Sequence, residues 1–401
     1  MQTTLAGFIR DTPEGREGDA ILRKCVHCGF CNATCPTYQL LGDELDGPRG
    51  RIYLIKQVLE GVAPTAKTRL HLDRCLTCRA CETTCPSGVQ YGRLADIGRE
   101  IVERDVGRGA WDKFRRAVLS FVLPRTGLFA FVLGIGRIAR PFLPAGLKDK
   151  IPEEEVHPGI WPAPRHKRRM LVLAGCVQPA LAPAINAAAA RVLDRAGISL
   201  IEAPGAGCCG ALRFHLNDQD GGRDDMRALI DAWWPMIEGG GIEAIVMTAS
   251  GCGATVKEYG HLLQHDPAYR EKAERISALT KDLCEVLPET GIAKRNKPGR
   301  VAFQSPCSLQ HGQQLLGKVE ALLQRAGYEL APVADSHLCC GSAGTYSILQ
   351  PELSGKLRER KLAALAAGGA GTIATANIGC LSHLQAGTPT PVRHWIQLLD
   401  E

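Results

Sequence analysis

Eight of the 17 cysteines fall in two runs of one spacing: Cys25, Cys28, Cys31 and Cys35 followed by Pro36, and Cys75, Cys78, Cys81 and Cys85 followed by Pro86. Thiolates at every third residue wrap three corners of a small cube, and a fourth cysteine three residues further on points away, toward a second cube. The spacing therefore predicts two [4Fe-4S] clusters with crossed ligation. Cys25, Cys28, Cys31 and Cys85 are assigned to one cluster, and Cys75, Cys78, Cys81 and Cys35 to the other. A pair of structural zinc sites is the alternative, because C-x2-C pairs also bind zinc in tetrahedral S4 geometry. Zinc ribbons, however, leave no task for the third cysteine, the x3 gap or the proline. Ser87, Gly88 and Thr37 beside the runs are candidates for hydrogen bonds to cluster sulfurs, or ordinary turn residues.

The other cysteines form a repeat. Cys176, the pair Cys208/Cys209 and Cys252 are echoed by Cys307, the pair Cys339/Cys340 and Cys380, offset by 131 residues for the first cysteine and the pair and by 128 for the last. Four thiols per copy make candidate ligands for one or two further iron-sulfur clusters, or redox-active thiol pairs. Cys284 is left over and reads as a small buried hydrophobe. The run Gly205 to Gly210 matches G-x-G-x-x-G, yet its glycines surround the Cys-Cys pair, no acidic ribose partner follows, and the second copy lacks the leading glycines; a dinucleotide site is not expected. His27, His215, His311, His337 and His383 lie near cysteines and are read as structural or solvated.

These residues need elements to position them. Between the two runs, Arg51 to Val62 carries Ile52, Leu54, Ile55, Val58 and Leu59 on one helical face, so a helix is expected to cover the clusters. In the repeat, Met170–Ala174 and Arg300–Gln304 read as strands ending just before a cysteine, and Ile198–Ala203 and Tyr328–Val333 as strands running toward Cys-Cys-Gly. Ala187–Gly197 and Val319–Gly327 read as helices stopped by Arg-Ala-Gly, and Ala244–Thr248 and Gly371–Ala376 as further strands. Strands alternating with helices predict a mostly parallel sheet in each copy. The expected fold is α+β / α/β: a helical, ferredoxin-like two-cluster domain (1–110), a helical and Pro-rich linker (111–165), and two tandem α/β cysteine-rich domains (166–295 and 296–401) related by a pseudo-twofold. All four thiols of a copy should gather at one sheet end, with the Cys-Cys pairs near the interface between copies.

With 401 residues, 45% hydrophobic and 22% charged, the chain reads as globular. A net charge of +6, scattered among nearly as many acids, argues against a nucleic-acid partner. The N-terminus lacks the pattern of a signal peptide, so the thiols are expected in a reducing cytoplasm. The apolar stretch Ala117–Leu143 is broken by Pro124, Arg125, Arg137, Arg140 and Pro141. Its part from Phe121 to Leu143 suits a helix at a lipid surface or on a membrane-bound partner better than one that crosses.

On the two cluster runs, Cys35-Pro-Thr-Tyr38, the segment Asp46-Gly-Pro-Arg-Gly-Arg-Ile52, Leu59-Glu-Gly61 and the Cys-Cys-Gly repeat, the chain resembles, over nearly its whole length, the iron-sulfur subunits of bacterial glycolate oxidase (glycolate dehydrogenase), within the cysteine-rich (Cys-Cys-Gly) superfamily. The resemblance implies an electron-relay subunit with no catalytic residues of its own. It also implies flavin-binding partner subunits that oxidise glycolate, a membrane quinone as acceptor, and attachment to the cytoplasmic face of the inner membrane. The alternatives are a heterodisulfide-type thiol-disulfide reductase acting at cysteine-rich-domain clusters, or the equivalent subunit of a lactate or glycerol-3-phosphate dehydrogenase. The fullest cysteine-rich domain ends in C-x-x-C, and here Ala249 and Asn377 occupy the first of those positions, leaving four thiols per copy instead of five.

Overall fold

A computed structural model of the chain describes residues 1–142, 151, 157–288, 292–294 and 298–400. The N-terminal part is helical. Its main helices, Pro13–Lys24, Pro48–Leu59, Ala66–Asp73 and Tyr91–Val106, close on a core that includes Leu22, Ile55, Leu59, Leu72 and Leu94. The helix expected over Arg51–Val62 runs from Pro48 to Leu59 instead. Proline is favoured in the first turn, where its missing N–H costs nothing, and Gly61 at φ +97° ends the element. Of the apolar residues expected on its buried face, Leu54 is only partly buried.

The remainder is built on two four-stranded sheets. In the first, β1 (Arg168–Val172), β2 (Ile198–Glu202), β3 (Ile242–Met247) and β4 (Thr280–Asp282) lie in the order β2-β1-β3-β4, all parallel. In the second, β5 (Arg300–Gln304), β6 (Glu329–Leu330), β7 (Thr372–Thr375) and β8 (Val392–His394) repeat that order as β6-β5-β7-β8. Unbroken apolar runs such as Ala244-Ile-Val-Met247 suit strands covered on both faces. The strand expected over Tyr328–Val333 shrinks to two residues. It is an edge strand, and Pro332 has no N–H to extend the ladder.

The copies are related reciprocally, as a pseudo-twofold requires. Helix Ala184–Arg195 of the first packs on Trp395–Asp400 of the second, and Lys318–Arg325 of the second packs on Leu283–Val286 of the first. One continuous core, with Ile185, Leu193, Val246, Phe303, Leu323 and Trp395, runs through both, and Cys284 is a small member of it. The loops after β3 and β7 meet directly: Ser250 N–H donates to Ala376 O (3.1 Å), Gly251 N–H to Asn377 Oδ1 (3.2 Å), and His394 Nε2 lies 2.8 Å from Thr248 O. The backbone seam therefore falls beside Cys252 and Cys380, and Cys339 and Cys340 line a cavity next to it together with Gly251 and His215 of the first copy. β3 and β7 are inner strands that point their ends at each other, whereas the strands preceding the pairs are at the sheet edges.

Between the N-terminal part and the first sheet lie helices Ala110–Val122 and Thr126–Ala139, which bend sharply on each other. No single described helix is long and apolar enough to cross a membrane. Of the expected Pro-rich linker Ile151–Pro164, residues 157–164 have no helix or strand, and residues 152–156 lie outside the described residues, as do Leu143 and the 295/296 boundary.

Candidate metal centres

Each N-terminal run turns the same way. His27 and Gly29 in the first loop, and Thr77 and Arg79 at the matching positions of the second, all have positive φ (+56°, +85°, +50° and +61°). Three of these four are not glycine, a strain of about 1–3 kcal/mol each that persists where a loop must curl its amides and thiols inward. The curl brings Thr77 N–H to 3.4 Å from Cys75 Sγ. A single helical turn follows in each case, Phe30–Ala33 and Ala80–Thr83. The prolines then differ. Pro36 opens helix Pro36–Leu41 with Cys35 as its N-cap, while Pro86 sits in a turn.

The thiols sort in the crossed way. Cys25, Cys28, Cys31 and Cys85 line one pocket of about 30 Å³, together with Ser87 and the neighbouring Cys81. Cys35, Cys75, Cys78 and Cys81 line the next, of about 20 Å³, roofed by Pro48 and Arg51. All eight are free thiols, and these pockets hold no carboxylate or imidazole of a mixed metal site apart from His27, so the donor set fits two thiolate-bound clusters. Burial, with Cys25 close by, pushes the Cys31 thiol up to about 11, and burial likewise raises Cys78 and Cys81. A metal must displace those protons to bind. Cys75 is the exception. Burial opposes its ionisation, but the guanidinium groups of Arg51 and Arg99 prevail and hold it below its usual value, helped by a hydrogen bond from Tyr91 Oη (3.5 Å). Thr37 Oγ1 lies 3.3 Å from Cys35 Sγ, while its own proton goes to Asp46 O at 2.8 Å.

The repeat thiols gather too. In the first copy hydrogen bonds link Cys176 to Cys208, Cys208 to Cys209 and Cys209 to Cys252. In the second, Cys307 Sγ is 3.8 Å from Cys339 Sγ, and bonds continue to Cys340 and Cys380. Both chains lie beyond the carboxyl ends of the strands, where α/β sheets bind ligands. The glycine after each pair is there for room: a Cβ on Gly210 would meet Gly222 O at 2.5 Å, and one on Gly341 would meet Ser354 O at 2.7 Å. Each also has positive φ and donates its N–H to the first thiol of the pair at 3.4 Å. The last glycine of the G-x-G-x-x-G likeness is thus set by the thiol pair.

The surroundings of the two sets differ. Cys208 accepts hydrogen bonds from Cys176 and Cys209 and is held well below its usual value, whereas Cys307 is pushed well up by its bond to Cys339 and by burial. Cys339 packs against Leu76 and Tyr346, with Cys78 and Cys307 alongside, so the second set adjoins the inner N-terminal pocket. Where a further cysteine is lacking, Asn377 Nδ2 lies 3.6 Å from Cys380 Sγ and Ala249 is simply buried. Of the histidines, His311 bridges parts of the chain, with Nδ1 2.9 Å from Thr83 Oγ1 and Nε2 2.9 Å from His337 O. His383 Nε2 lies 3.2 Å from Ser354 Oγ.

Sequence spacing alone missed Arg51, Arg99 and Tyr91 as neighbours of Cys75. Arg51 does lie inside the Asp46–Ile52 segment, where a charged residue at a buried helical position was the available signal. The N-terminal part is clamped to the first sheet by a bidentate pair, Arg79 Nη1–Glu258 Oε1 at 2.5 Å and Nη2–Oε2 at 2.8 Å, and to the second by Tyr346 Oη donating to Arg74 O at 3.1 Å.

Residues 21–89 match the family described as 4Fe-4S dicluster domain, and residues 170–257 and 301–385 each match the cysteine-rich domain. The chain is thus a two-cluster [4Fe-4S] protein with two cysteine-rich domains. It is 55% identical to the glycolate oxidase iron-sulfur subunit of Escherichia coli (strain K12), over 100% of this chain and 99% of that protein. It is 33% identical to the probable glycolate oxidase iron-sulfur subunit of Bacillus subtilis (strain 168), over 94% and 92%. Lactate utilization protein A of Geobacillus thermodenitrificans (strain NG80-2) is 27% identical over 54% of this chain and 92% of its own length. Since the strongest of these likenesses spans the cluster runs, the helical connection and both sheets, the chain belongs to the family of glycolate oxidase iron-sulfur subunits.

Proposed function

We propose that the chain is the electron relay of a flavin-dependent glycolate dehydrogenase. Flavin-binding partner subunits oxidise the 2-hydroxy acid, and this chain takes the electrons one at a time through a cluster held by Cys25, Cys28, Cys31 and Cys85. A second cluster, held by Cys75, Cys78, Cys81 and Cys35, passes them on toward a membrane quinone. The observation that carries this reading is the arrangement of the two thiol pockets. The first opens to the surface, with Cys28 exposed and Val26 and Phe30 more than 60% exposed beside it; the second faces inward, against the cysteine-rich domains. An entry and an onward face are what a relay needs. Oxidation of a 2-hydroxy acid itself needs an organic hydride acceptor, which the partners supply. The iron-loaded chain alone should show no turnover of glycolate with an artificial acceptor, and turnover should appear on adding the flavin subunits. Flavin-free turnover by the chain alone would end the relay reading.

The proposed location is the cytoplasmic face of the inner membrane, held peripherally. The bent helix pair supports it. Trp111, Phe114, Phe121, Phe131, Ile138 and Phe142 are all more than half exposed, and Arg125, Arg137 and Arg140 are spaced among them. Apolar side chains interleaved with arginines suit the boundary between headgroups and acyl chains. Burying a phenylalanine or isoleucine stabilises by about 1.5–3 kcal/mol each. Phe131→Asp combined with Ile138→Asp should therefore lower the membrane-bound fraction of the assembled complex by on the order of 100-fold in partitioning, with iron content unchanged. Retention of the double variant on membranes, or failure of carbonate to release the wild type, would exclude this attachment.

A further inference from the structure

A cavity of about 180 Å³, several times the volume of either cluster pocket, lies where the N-terminal part and both sheets meet. Its walls include Cys78 from the inner cluster run, the second set of repeat thiols, Asp96, Thr255 and His215. That volume holds about a dozen waters, taking roughly 10–15 Å³ for each, or one six-membered ring with its substituents. Two polar groups in its walls have work left over. No hydrogen bond or close ion pair among the described residues reaches the Asp96 carboxylate, although Arg79, Arg99, Glu82 and Glu258 surround it. His215 Nδ1 lies 3.4 Å from Thr77 Oγ1, and its Nε2 has no hydrogen-bond partner among the described residues. His215 also lines a smaller polar pocket with Asp73, Arg116 and Asn217, beside the apolar helix pair, so it stands between the cavity and a polar route outward.

We propose that this junction cavity is where the acceptor is reduced: a quinone ring sits against Cys78, Asp96 supplies its protons, and His215 Nε2 accepts a hydrogen bond from a hydroxyl of the reduced ring. The proposal rests on the relay reading above and gives that reading its acceptor site. The balance is Q + 2 e⁻ + 2 H⁺ → QH₂. The two electrons, which originate in hydroxy-acid oxidation, would be supplied singly by the cluster that Cys35, Cys75, Cys78 and Cys81 would hold. Both protons arrive through Asp96, which is reprotonated from solvent after each transfer. A one-electron metal-complex acceptor takes no proton, and this separates the two kinds of chemistry. Burial pushes the Asp96 acid up to about 6 against the opposing charges of Arg99 and Arg79, into the range of a proton donor near neutral pH. Burial, with Arg99 nearby, lowers His215 to about 4, so it is neutral; the Thr77 hydroxyl gives its own proton to Leu76 O, so His215 Nδ1 donates to Thr77 and Nε2 is an acceptor.

The test uses the complete iron-loaded complex and a short-chain benzoquinone. In Asp96→Asn the ratio of quinone to ferricyanide reduction should fall about 100-fold, the usual contribution of a positioned acid. The decline of the quinone rate as pH rises through about 6 should disappear. Thr255→Phe, which fills the cavity, should weaken quinone binding measured by calorimetry at least 10-fold. If the wild type reduces and binds quinone and both variants behave like it, the site is elsewhere and the relay reading survives. If the wild type neither binds nor reduces quinone, the quinone reading falls and this inference with it.

Discussion

Replacing Cys35 by serine should remove the cluster whose other ligands lie forty or more residues further along the sequence, and spare the one held by its neighbours. Cys35 lines the pocket of Cys75, Cys78 and Cys81, while Cys25, Cys28 and Cys31 share theirs with Cys85. Serine offers a harder, more basic oxygen in place of a soft thiolate, which lowers affinity for an iron-sulfur cluster. Iron and acid-labile sulfide should fall to about half, and the surviving signal should be that of the surface-facing site. Cys85→Ser should give the converse. Electron transfer through the assembled complex should be lost in both, because a relay in series fails at either link. Loss of the Cys25, Cys28 and Cys31 site in Cys35→Ser would show that ligation is not crossed.

The sorting of these thiols into two pockets was open to anticipation from the sequence because spacing within a run is local. The gathering of Cys176, Cys208, Cys209 and Cys252 was legible for a related reason, since each follows a strand of a parallel sheet and so comes to the same end. What faces what across domains was not legible. The Cys-Cys pairs were expected near the interface, and Cys339/Cys340 do line its cavity, but that inner strands β3 and β7 make the backbone seam was hidden, because strand order within a sheet is not written in any one segment. Asp96 and His215 reach one cavity from a helix of the N-terminal part and a short helix, Ala211–His215, after β2 of the first sheet, 119 positions apart, with no shared motif to link them. Arg51 sat in a recognised segment, but its burial depends on His71 and Arg74 arriving from a different helix.

Arg51 and Asp46 carry the second large effect. The Asp46 side chain is fully buried. Its Oδ1 lies 3.0 Å from His71 Nδ1 and 3.5 Å from Arg51 Nη2, and its Oδ2 accepts from Arg74 Nη1 at 2.7 Å. Arg51, 1% exposed, also donates to His71 O at 2.7 Å and to Thr37 Oγ1 at 3.2 Å. Asp43, Asp46 and His71 have the spacing of a small metal site, but two guanidinium groups at the same carboxylate oppose a cation there. Removing one partner of a buried pair strands the other charge and typically costs about 3–5 kcal/mol. Asp46→Ala should therefore destabilise the iron-free chain by about that much in denaturant unfolding. Arg51 has a second anion within reach, however: its Nη1 is 4.0 Å from Cys35 Sγ, and four thiolates around a cluster carry net negative charge. In the iron-loaded protein the cluster should take over part of the compensation, so the same substitution should cost less than in the iron-free chain. Equal losses with and without iron would mean that Arg51 answers to Asp46 alone and has no electrostatic part in holding the cluster.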